Sequence, residues 1–452
     1  MSAHGEQMGV VTSLWAQLRV PDRARYLDRA AQAIIDEFDD VCLALAAESQ
    51  RPRTEIASLQ LLGAIDALRW LSENARRLTG AHRFSLPRSL HPLTRASAGF
   101  APVGVVGVRG GRGAPFAEPL ATLGAALLAG NGAILAPAPD ALAAGARIAG
   151  VLARAGLPEG LVRVENVSLA PCDRVLEEPP VGHGPDAMIV LADAHLRHAV
   201  DGALWGACAG AGQLAGSLKR VYVVAERHEE FLELLVGAAE ELVLGDPLLA
   251  DTQLGPLAGE AVAARLESLI GEAVAGGATR RCGGRRNDVP ASGVFFAPVV
   301  MSGVPPNSRL ARERVPGPIL LVEPVADSAA GVAAANAGER SLGASIWSAD
   351  RRAAVRVARE LRARVVWGND HPPSQPARML AAEALTRCTR EQLITWDPPS
   401  RRPPWRYPYD AAGPLAARAL AALQSARDGD RERALRDGAP AALRLAGRAL
   451  RR

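Results

Sequence analysis

The chain is arranged around residues 203–223, which read ALWGACAGAGQLAGSLKRVYV. Small residues dominate the first half of this segment and predict a helix whose backbone packs very close to its neighbours. Gly210 and Gly212 predict that the helix then breaks into a tight, buried loop. The β-branched and aromatic run from Arg220 to Val224 favours a strand that leaves the loop. A helix, a glycine loop and a strand are therefore expected to meet at one buried point.

Composition is that of an ordinary soluble globular protein. The 452 residues are enough for two or three domains, and 48% of them are hydrophobic and 22% charged. The net charge of +4 is small for this length, and the basic residues are scattered rather than clustered. This charge balance gives no reason to expect a nucleic-acid partner.

Cysteine usage and the absence of targeting signals indicate a reducing compartment. The number of cysteines is odd, and no C-x-x-C pair suggests a zinc or redox site. No stretch approaches the ~20 apolar residues of a membrane span, and the N-terminus lacks the pattern of a signal peptide. These features predict a cytoplasmic protein without a membrane span. Its reduced, buried thiols are expected at Cys42, Cys172, Cys208, Cys282 and Cys388.

The central segment resembles the nucleophile segment of the aldehyde dehydrogenase superfamily. That family reads F-x-N-A-G-Q-x-C followed by R-V-Y-V, and residues 211–213 and 220–223 match it without a gap. The resemblance places the family's catalytic cysteine at position 215, where this chain has Ala215. A methyl group cannot attack a carbonyl, so the covalent thiohemiacetal cannot form there. Cys208 is the nearby candidate for a substitute nucleophile, although its helical position favours a small buried core residue.

Two further catalytic positions implied by the resemblance are also substituted. The family's W-N-F-P segment carries an asparagine whose amide donates to the developing oxyanion, and this chain has Gly113 there. Losing one such donor costs roughly 3–4 kcal/mol of transition-state stabilisation. The glutamate of the family's E-L-G-G-K motif falls near Val181, in a region much shorter than the family's. No residue is therefore expected to activate the deacylating water.

The family's dinucleotide contacts are substituted as well. The lysine and glutamate of K-P-S-E, which reach the adenosine ribose, correspond to Ala136 and Pro139. The glutamate of E-[I/T]-F-G-P, which holds the nicotinamide ribose, corresponds to Arg314, and the stacking phenylalanine corresponds to Pro316. No F-T-G-S motif is present. The expectation is that no cofactor binds, with NAD or NADP as the cofactor if the site survives.

Several titratable residues near these motifs are expected to have ordinary structural roles. Glu177, Glu178 and His183 lie in a Pro-flanked stretch, which favours solvated loop side chains over a catalytic base. Lys219 is the only lysine in the chain and is predicted to be an ordinary loop or strand-edge residue. Arg314 is predicted to be a surface arginine rather than an anion ligand.

Alternating strands and helices predict an α/β protein. The resemblance implies an aldehyde-dehydrogenase-like fold with a Rossmann-type cofactor-binding domain, an α/β catalytic-type domain and a small β oligomerisation arm. The expected divisions are 1–182 for a degenerate NAD(P)-binding-type domain with the arm at about 81–100, 183–380 for the catalytic-type domain, 381–410 for a tail strand and Pro-rich segment, and 411–452 for a helical extension.

The joint loss of nucleophile, oxyanion donor, deacylating glutamate and cofactor contacts makes a catalytically inactive homologue the leading hypothesis. Such a protein would act as a scaffold or regulatory subunit, as a homo-oligomer or in a hetero-oligomer with an active aldehyde dehydrogenase. Two alternatives stay open. One is an NAD(P)-dependent oxidoreductase that acts on an aldehyde or semialdehyde through a rearranged site. The other is a small-molecule binding protein that uses the former substrate tunnel.

Overall fold

The computed structural model divides into two compact units. The first comprises residues 1–78 and 102–389, and the second comprises residues 79–101 and 390–452. No described helix is long and apolar enough to cross a membrane. The described residues are 3–87, 91, 94–165, 169, 172–176, 184–289, 291–397, 407, 409, 411–425 and 427–450.

The described strands are numbered in chain order. They are β1 (His82–Phe84), β2 (Arg95–Pro102), β3 (Val105–Arg109), β4 (Gly132–Ala136), β5 (Val162–Val164), β6 (Arg174–Leu176), β7 (Asp186–Val190), β8 (Leu218–Val224), β9 (Thr279–Cys282), β10 (Arg286–Asn287), β11 (Phe295–Phe296), β12 (Val299–Ser302), β13 (Ile319–Val325), β14 (Gly343–Trp347), β15 (Val365–Gly368) and β16 (Thr389–Trp396).

The described helices are numbered in the same way, and a π-helical turn at Ile56–Leu62 joins α4 to α5. They are α1 (Ala3–Gln17), α2 (Val20–Asp36), α3 (Phe38–Ser49), α4 (Arg53–Glu55), α5 (Gly63–Glu73), α6 (Ala75–Thr79), α7 (Ala117–Ala129), α8 (Leu142–Arg154), α9 (Leu196–Cys208), α10 (Ala225–Glu240), α11 (Glu260–Ala275), α12 (Arg309–Arg312), α13 (Ser328–Ala335), α14 (Arg351–Ala358), α15 (Ala377–Arg387), α16 (Gly413–Ala422) and α17 (Asp428–Leu450).

The first unit contains a four-stranded parallel sheet in the order β5-β4-β3-β6. Strands β3 and β4 are apolar runs, as expected for parallel strands covered on both faces. Helix α7 follows β3 and α8 follows β4, and both pack with α2 and α5 into one apolar core. This arrangement places residues 110–116 and 137–141 together at the carboxyl edge of the sheet, because each segment follows one of two adjacent parallel strands.

The first unit also contains a seven-stranded sheet in the order β15-β14-β7-β8-β13-β12-β9. Its described strand pairs are parallel except for β9, which runs antiparallel to β12. Alternate residues of β7 enter different cores. Met188 packs with α9 and α10, whereas Ile189 packs with α13 and α14. The loop before β8 and the segment before β13 consequently meet at the amino edge of this sheet, since β8 and β13 are parallel neighbours.

The second unit is a small β-sheet followed by helices. Its three strands are ordered β1-β2-β16, and β1 is antiparallel to β2. Strand β16 exposes large apolar side chains, including Ile394 (58% exposed) and Trp396 (69% exposed). Helices α16 and α17 bury only small residues between them, such as Ala416 and Ala441. The predicted tail strand and helical extension are both present here.

The apolar run 101–108 is divided between β2 and β3 because Gly104 adopts a φ of 127°. Strand β6 and helix α1 were not predicted. The described part of the helical extension contains two helices, α16 and α17. The α/β class is confirmed, whereas the division of the chain at 182, 380 and 410 stays a prediction.

Candidate functional site

The loop between α9 and β8 has a backbone that favours glycine. Its residues Ala209–Gly212 form a single tight turn, with a positive φ at Gly210 (61°), Ala211 (51°) and Gly212 (68°). A Cβ atom at Gly212 would lie 2.0 Å from the carbonyl oxygen of Gly317, so a side chain does not fit there. The predicted break of the helix at the glycine pair is therefore confirmed.

Lys219 joins this loop to the segment before β13. Its Nζ donates to the carbonyl oxygens of Gly212 at 2.9 Å and Gly317 at 2.6 Å. Burial lowers the pKa of Lys219 to about 7, because the charged ammonium is costly away from water. The prediction of an ordinary loop or strand-edge residue is wrong. The side chain is 4% exposed on β8, which lies between β7 and β13.

Glu55 holds the other end of the loop. It ends α4 and is 3% exposed, and its carboxylate accepts the backbone N–H of Gly210 at 2.8 Å. Burial raises the pKa of Glu55 to about 7, against the opposing influence of this hydrogen bond and of Arg51. The sequence analysis missed Glu55, because nothing in its local pattern indicates a partner 155 residues away.

Ala215 is half-buried at the end of the same loop. The next residue, Gly216, donates its N–H to the carbonyl oxygen of Pro373 at 3.1 Å, which fixes this end of the loop against the segment after β15. Cys208 is 7% exposed in the apolar core, and burial raises the pKa of its thiol to about 12. A thiol with so high a pKa remains protonated at neutral pH and is a poor nucleophile.

Gly113 lies in the turn after β3, at the expected oxyanion-donor position. Its carbonyl oxygen accepts a hydrogen bond from Arg51 Nη1 at 2.6 Å, and the same guanidinium donates to the carbonyl oxygen of Arg112 at 3.2 Å. Arg112 in turn forms an ion pair with Asp140, which follows β4. The two loops at the carboxyl edge of the four-stranded sheet are thus connected to each other by the chain's own charged side chains.

The backbone N–H groups at the helix N-termini of this edge also have hydrogen-bond partners within the chain. Glu48 accepts the N–H groups of Ala143 at 2.5 Å and Ala144 at 2.9 Å in the first turn of α8. Gln60 accepts two N–H groups at the start of α7, those of Phe116 and Ala117, both at 3.2 Å. A helix N-terminus binds phosphate through such N–H groups. These donors are already in use at both helices.

The remaining dinucleotide positions lie where the sequence placed them but offer little to a nucleotide. Ala136 ends β4 and is buried, and Pro139 is exposed in the following turn. Arg314 is half-buried, and its Nη2 donates to the carbonyl oxygen of Leu214 at 3.4 Å. The prediction of a surface arginine at 314 is therefore wrong. Pro316 lies beside Gly317, in the segment that Lys219 holds.

The connection from the four-stranded to the seven-stranded sheet is short. Strand β6 is followed by residues 177–185 and then directly by β7. Nine residues of sequence thus separate the two strands, whereas a parallel crossover with its own helix needs about a dozen or more. Residues 177–183 of this connection lie outside the described part of the chain.

A second group of buried polar residues lies on the seven-stranded sheet. Asp186 starts β7, and His371 lies 4.0 Å away, measured from Nε2 to the Asp186 Oδ2 atom. Ser345 on β14 contacts His371 Nδ1 at 2.8 Å. Burial raises the pKa of Asp186 to about 7 and lowers that of His371 to about 4. Ser345 and His371 are fully buried, so this arrangement offers no accessible nucleophile.

A cavity of about 400 Å³ lies between the π-helical turn, the start of α7 and the segment that follows β15. Pro372 and Ser374, which line it, are the chain neighbours of Pro373, the partner of Gly216. Its polar lining includes Ser58, Glu118 and Gln375. Within the described part of the chain, no group of histidine, cysteine and acidic side chains is arranged to hold a metal ion.

Four of the predicted positions lie outside the described residues. They are Glu177, Glu178, Val181 and His183, together with most of the Pro-rich segment 398–410. The substitution of the deacylating glutamate near Val181 therefore stays a prediction from the sequence.

The sequence matches a known family along most of its length. The model described as "Aldehyde dehydrogenase family" matches residues 7–168 and 182–381. The chain belongs to the aldehyde dehydrogenase family. It is similar to the 4,4'-diapolycopene aldehyde oxidase of a Methylomonas species, with 30% identity over 77% of this chain and 70% of that protein. It is also similar to the NADP(+) succinate-semialdehyde dehydrogenase of Deinococcus radiodurans, with 26% identity over 86% of this chain and 88% of that protein.

Solved structures share the fold. The NAD+ complex of an aldehyde dehydrogenase from Bacillus cereus has a TM-score of 0.76 at 21% identity, over 87% of this chain and 89% of that one. The NAD-dependent aldehyde dehydrogenase of Sinorhizobium meliloti has a TM-score of 0.76 at 24% identity, over 86% and 85% of the two chains. The predicted superfamily and the aldehyde-dehydrogenase-like α/β fold are confirmed.

Proposed function

We propose that this aldehyde dehydrogenase homologue is catalytically inactive and acts as a scaffold or regulatory subunit. The observation that carries the proposal is Ala215, which ends a loop that keeps the glycine-dependent turn and its backbone contacts but has no nucleophile. Covalent catalysis by this family's route requires an activated thiolate at that position. The loop supports the fold without supplying the chemistry.

The environment of Cys208 argues against a rearranged active site. An activated cysteine has a lowered pKa and is accessible to its substrate. Cys208 has a pKa raised to about 12 by burial and packs in the core of the seven-stranded sheet. The oxidoreductase alternative therefore lacks a suitable nucleophile at this position.

We also propose that no dinucleotide binds, because the residues present do not fit one. The N–H donors at the start of α7 and α8 are satisfied by Gln60 and Glu48. Arg112 and Asp140 form an ion pair across the carboxyl edge of the four-stranded sheet. Arg314 and Pro316 replace the ribose-binding carboxylate and the stacking ring that the resemblance implies.

The second unit supports a role in assembly. Strand β16 presents exposed apolar side chains, among them Ile394 and Trp396, on a small three-stranded sheet. Exposed apolar side chains on a strand favour pairing with another chain. We propose a homo-oligomer, or a hetero-oligomer with an active aldehyde dehydrogenase, formed through this strand.

Enzyme assays test the proposed inactivity. Wild-type protein, Ala215→Cys and Cys208→Ala are each incubated with succinic semialdehyde or betaine aldehyde and NAD or NADP, and absorbance of the reduced cofactor is followed. We expect no turnover from any of the three proteins, because a restored thiol alone supplies neither the oxyanion donor nor a cofactor site. Turnover by the wild type that Cys208→Ala abolishes would instead establish the oxidoreductase alternative.

Co-expression tests the assembly role separately. The tagged chain is expressed with an active aldehyde dehydrogenase from the same genome, and the purified species are weighed by native mass spectrometry. A complex of defined stoichiometry that Ile394→Asp disrupts supports the scaffold role through β16. A strictly monomeric protein under all conditions contradicts it.

A second candidate function is small-molecule binding in the cavity between the π-helical turn, the start of α7 and the segment after β15. The cavity of about 400 Å³ falls within the size range of ligand pockets and has both apolar walls and a few polar groups. Thermal-shift measurements with a panel of aldehydes and their corresponding acids test it. A shift that Ala117→Phe removes supports this candidate, since Ala117 lines the cavity.

A further inference from the structure

Two buried ionisable side chains hold the loop of Ala215 at backbone atoms. Glu55 accepts the N–H of Gly210, and Lys219 donates to the carbonyl oxygen of Gly212, two residues further along. Both side chains come from outside the turn, Glu55 from α4 and Lys219 from β8. The backbone between these two attachments has positive φ throughout, so it relies on such contacts to keep its shape.

Lys219 is distinctive in composition as well as position. The chain contains 52 lysine and arginine residues, and inspection of the sequence shows that Lys219 is the only lysine among them. An arginine remains protonated in proteins, whereas a buried lysine can release its proton near neutral pH. The chain's single lysine side chain is thus placed between two backbone carbonyl groups in the core.

We propose that Glu55 and Lys219 are opposed, pH-responsive clamps on the loop Ala209–Ser217. In acid, protonated Lys219 holds the Gly212 end most strongly and Glu55 is neutral. In base, ionised Glu55 holds the Gly210 end most strongly and Lys219 is neutral. The attachment of the loop therefore moves from one end to the other as the pH crosses neutrality, without requiring any catalytic activity.

The strengths of these contacts depend on charge. A hydrogen bond to an ionised partner is shorter and stronger than one between neutral groups. Protonation of Glu55 therefore weakens its contact with Gly210, and deprotonation of Lys219 weakens its contacts with Gly212 and Gly317. The pKa of each group is displaced to about 7 by burial, which brings both changes into the same pH range.

Other ionisable groups lie close to Glu55 and Lys219 and influence the pH range in which these two side chains change charge. Arg51 faces Glu55 and is itself faced by Arg112 and Asp140. Cys208 faces both Glu55 and Lys219, and Cys282 faces Cys208. Lys219 is also faced by Arg314, which disfavours its charge, and by Asp186, which favours it. Asp186 is faced by Arg220 as well and lies beside His371.

The first experiment measures the charge of Lys219 directly. Because Lys219 is the chain's only lysine, the full-length protein grown with [13Cε]lysine gives one NMR resonance that needs no assignment. We expect this resonance to titrate near pH 7. A lysine that stays charged to about pH 10, its ordinary pKa, would overturn the proposal.

The second experiment follows the Gly210 amide. Labelling with [13C']alanine and [15N]glycine selects glycines that follow alanine, which include Gly210 and Gly212. The Gly210 amide proton should move downfield between about pH 6 and 8 as Glu55 ionises. Glu55→Gln keeps an oxygen acceptor for this amide but removes the charge, so it should abolish the shift.

Glu323→Gln is the matched control. Glu323 is a partly buried glutamate on β13 that also accepts backbone N–H groups, those of Gly303 and Val304. Its replacement should leave the Gly210 titration unchanged. A Gly210 amide that does not titrate in the wild type, or that titrates equally in Glu55→Gln, contradicts the proposal. If Glu55→Gln does not fold, the lysine titration of the wild type still decides the matter.

Discussion

The two sheets of the first unit preserve different parts of the family's architecture. At the amino edge of the seven-stranded sheet, the Ala215 loop keeps a demanding backbone, in which Gly212 contacts Gly317 too closely for a side chain. At the carboxyl edge of the four-stranded sheet, Gly113 lies in open space, and nearby loops are joined by Arg51 and Arg112. The backbone is therefore more constrained at the Ala215 loop, which joins core elements, than at the turn of Gly113.

This difference separates the requirements of the fold from those of catalysis. A fold is maintained by packing and backbone hydrogen bonds, whereas an activity depends on a few side chains at one site. The backbone contacts around Ala215 do not depend on its side chain, because Gly216 bonds to Pro373 and Lys219 bonds to Gly317. The scaffold role that we propose requires these contacts and no nucleophile at position 215.

The largest expected effect concerns the constrained loop. Gly212→Ala should lower the free energy of unfolding by about 3–5 kcal/mol, because the new Cβ meets the Gly317 carbonyl and the left-handed backbone is strained. Gly113→Ala is the matched change in the open turn, and it should alter stability by no more than about 0.5 kcal/mol. Urea unfolding of both variants measures the contrast. Equal effects would remove the distinction between the two regions.

The stability of the region around the four-stranded sheet should also be sensitive to substitution of a buried polar residue. Asn131 is fully buried and bonds to the backbone N–H groups of Val103 and Gly104 and to the carbonyl oxygens of Ala126 and Cys388. Asn131→Ala should cost about 3–4 kcal/mol, since these buried groups lose their partner. Asn307→Ala, at an exposed position, is the control. A loss below about 1 kcal/mol for Asn131→Ala would mean that this region is loosely held.

The pH dependence of stability should report the buried carboxylate on β7. Asp186 has a pKa of about 7 in the folded protein against an ordinary value of 3.8. Asp186 ionises at a lower pH in the unfolded protein than in the folded protein. Its contribution to the free energy of unfolding is therefore present in acid and is lost as the pH rises between these two values. Asp186→Asn should gain stability relative to the wild type across this window. His371, whose pKa is lowered, acts in the opposite direction but is present in both proteins.

Denaturant unfolding of the wild type and Asp186→Asn at a series of pH values measures this difference. A gap between the two proteins that stays constant from pH 4 to 7 would show that Asp186 keeps its ordinary pKa. Because only the difference between the unfolding free energies of the two proteins is compared, the contributions of other titrating groups largely cancel.

The smallest expected effect is at α8, which begins at the carboxyl edge of the four-stranded sheet. Glu48→Ala removes the carboxylate that accepts two N–H groups of α8 and should cost about 1 kcal/mol, as for other N-terminal caps. Glu159→Ala, at an exposed carboxylate in the turn before β5, should change the melting temperature very little. Indistinguishable melting curves for the two variants would show that the cap contributes nothing.

Local patterns predicted the parts of the fold that local chemistry determines. Gly210 and Gly212 indicated the helix break, whereas the assignment of Ala215 and Gly113 to catalytic positions stays a prediction. Burial of Lys219 was not predictable, because it results from two loops that come together only through parallel pairing of β8 with β13. Glu55 was missed for the same reason.

The buried group around Asp186 was missed, although the sequence offered a signal for it, namely a carboxylate within an otherwise apolar strand. Asp186 begins the run DAMIV, in which every residue is buried. A buried acid of this kind needs hydrogen-bond or charge partners, so its position already suggested a polar contact in the core. Its neighbour His371 lies in the segment after β15, and no spacing rule links the two.

Calorimetric titration with NAD and with NADP at millimolar concentrations tests the central claim most directly. A ligand that binds only the folded protein at 100 times its dissociation constant stabilises it by about 2.7 kcal/mol, so thermal unfolding provides an independent check. The account predicts no saturable heat and no thermal shift with either dinucleotide. Saturable heat with an accompanying thermal shift would contradict it, because it would show that the edge joined by Arg112 and Asp140 still opens to a cofactor.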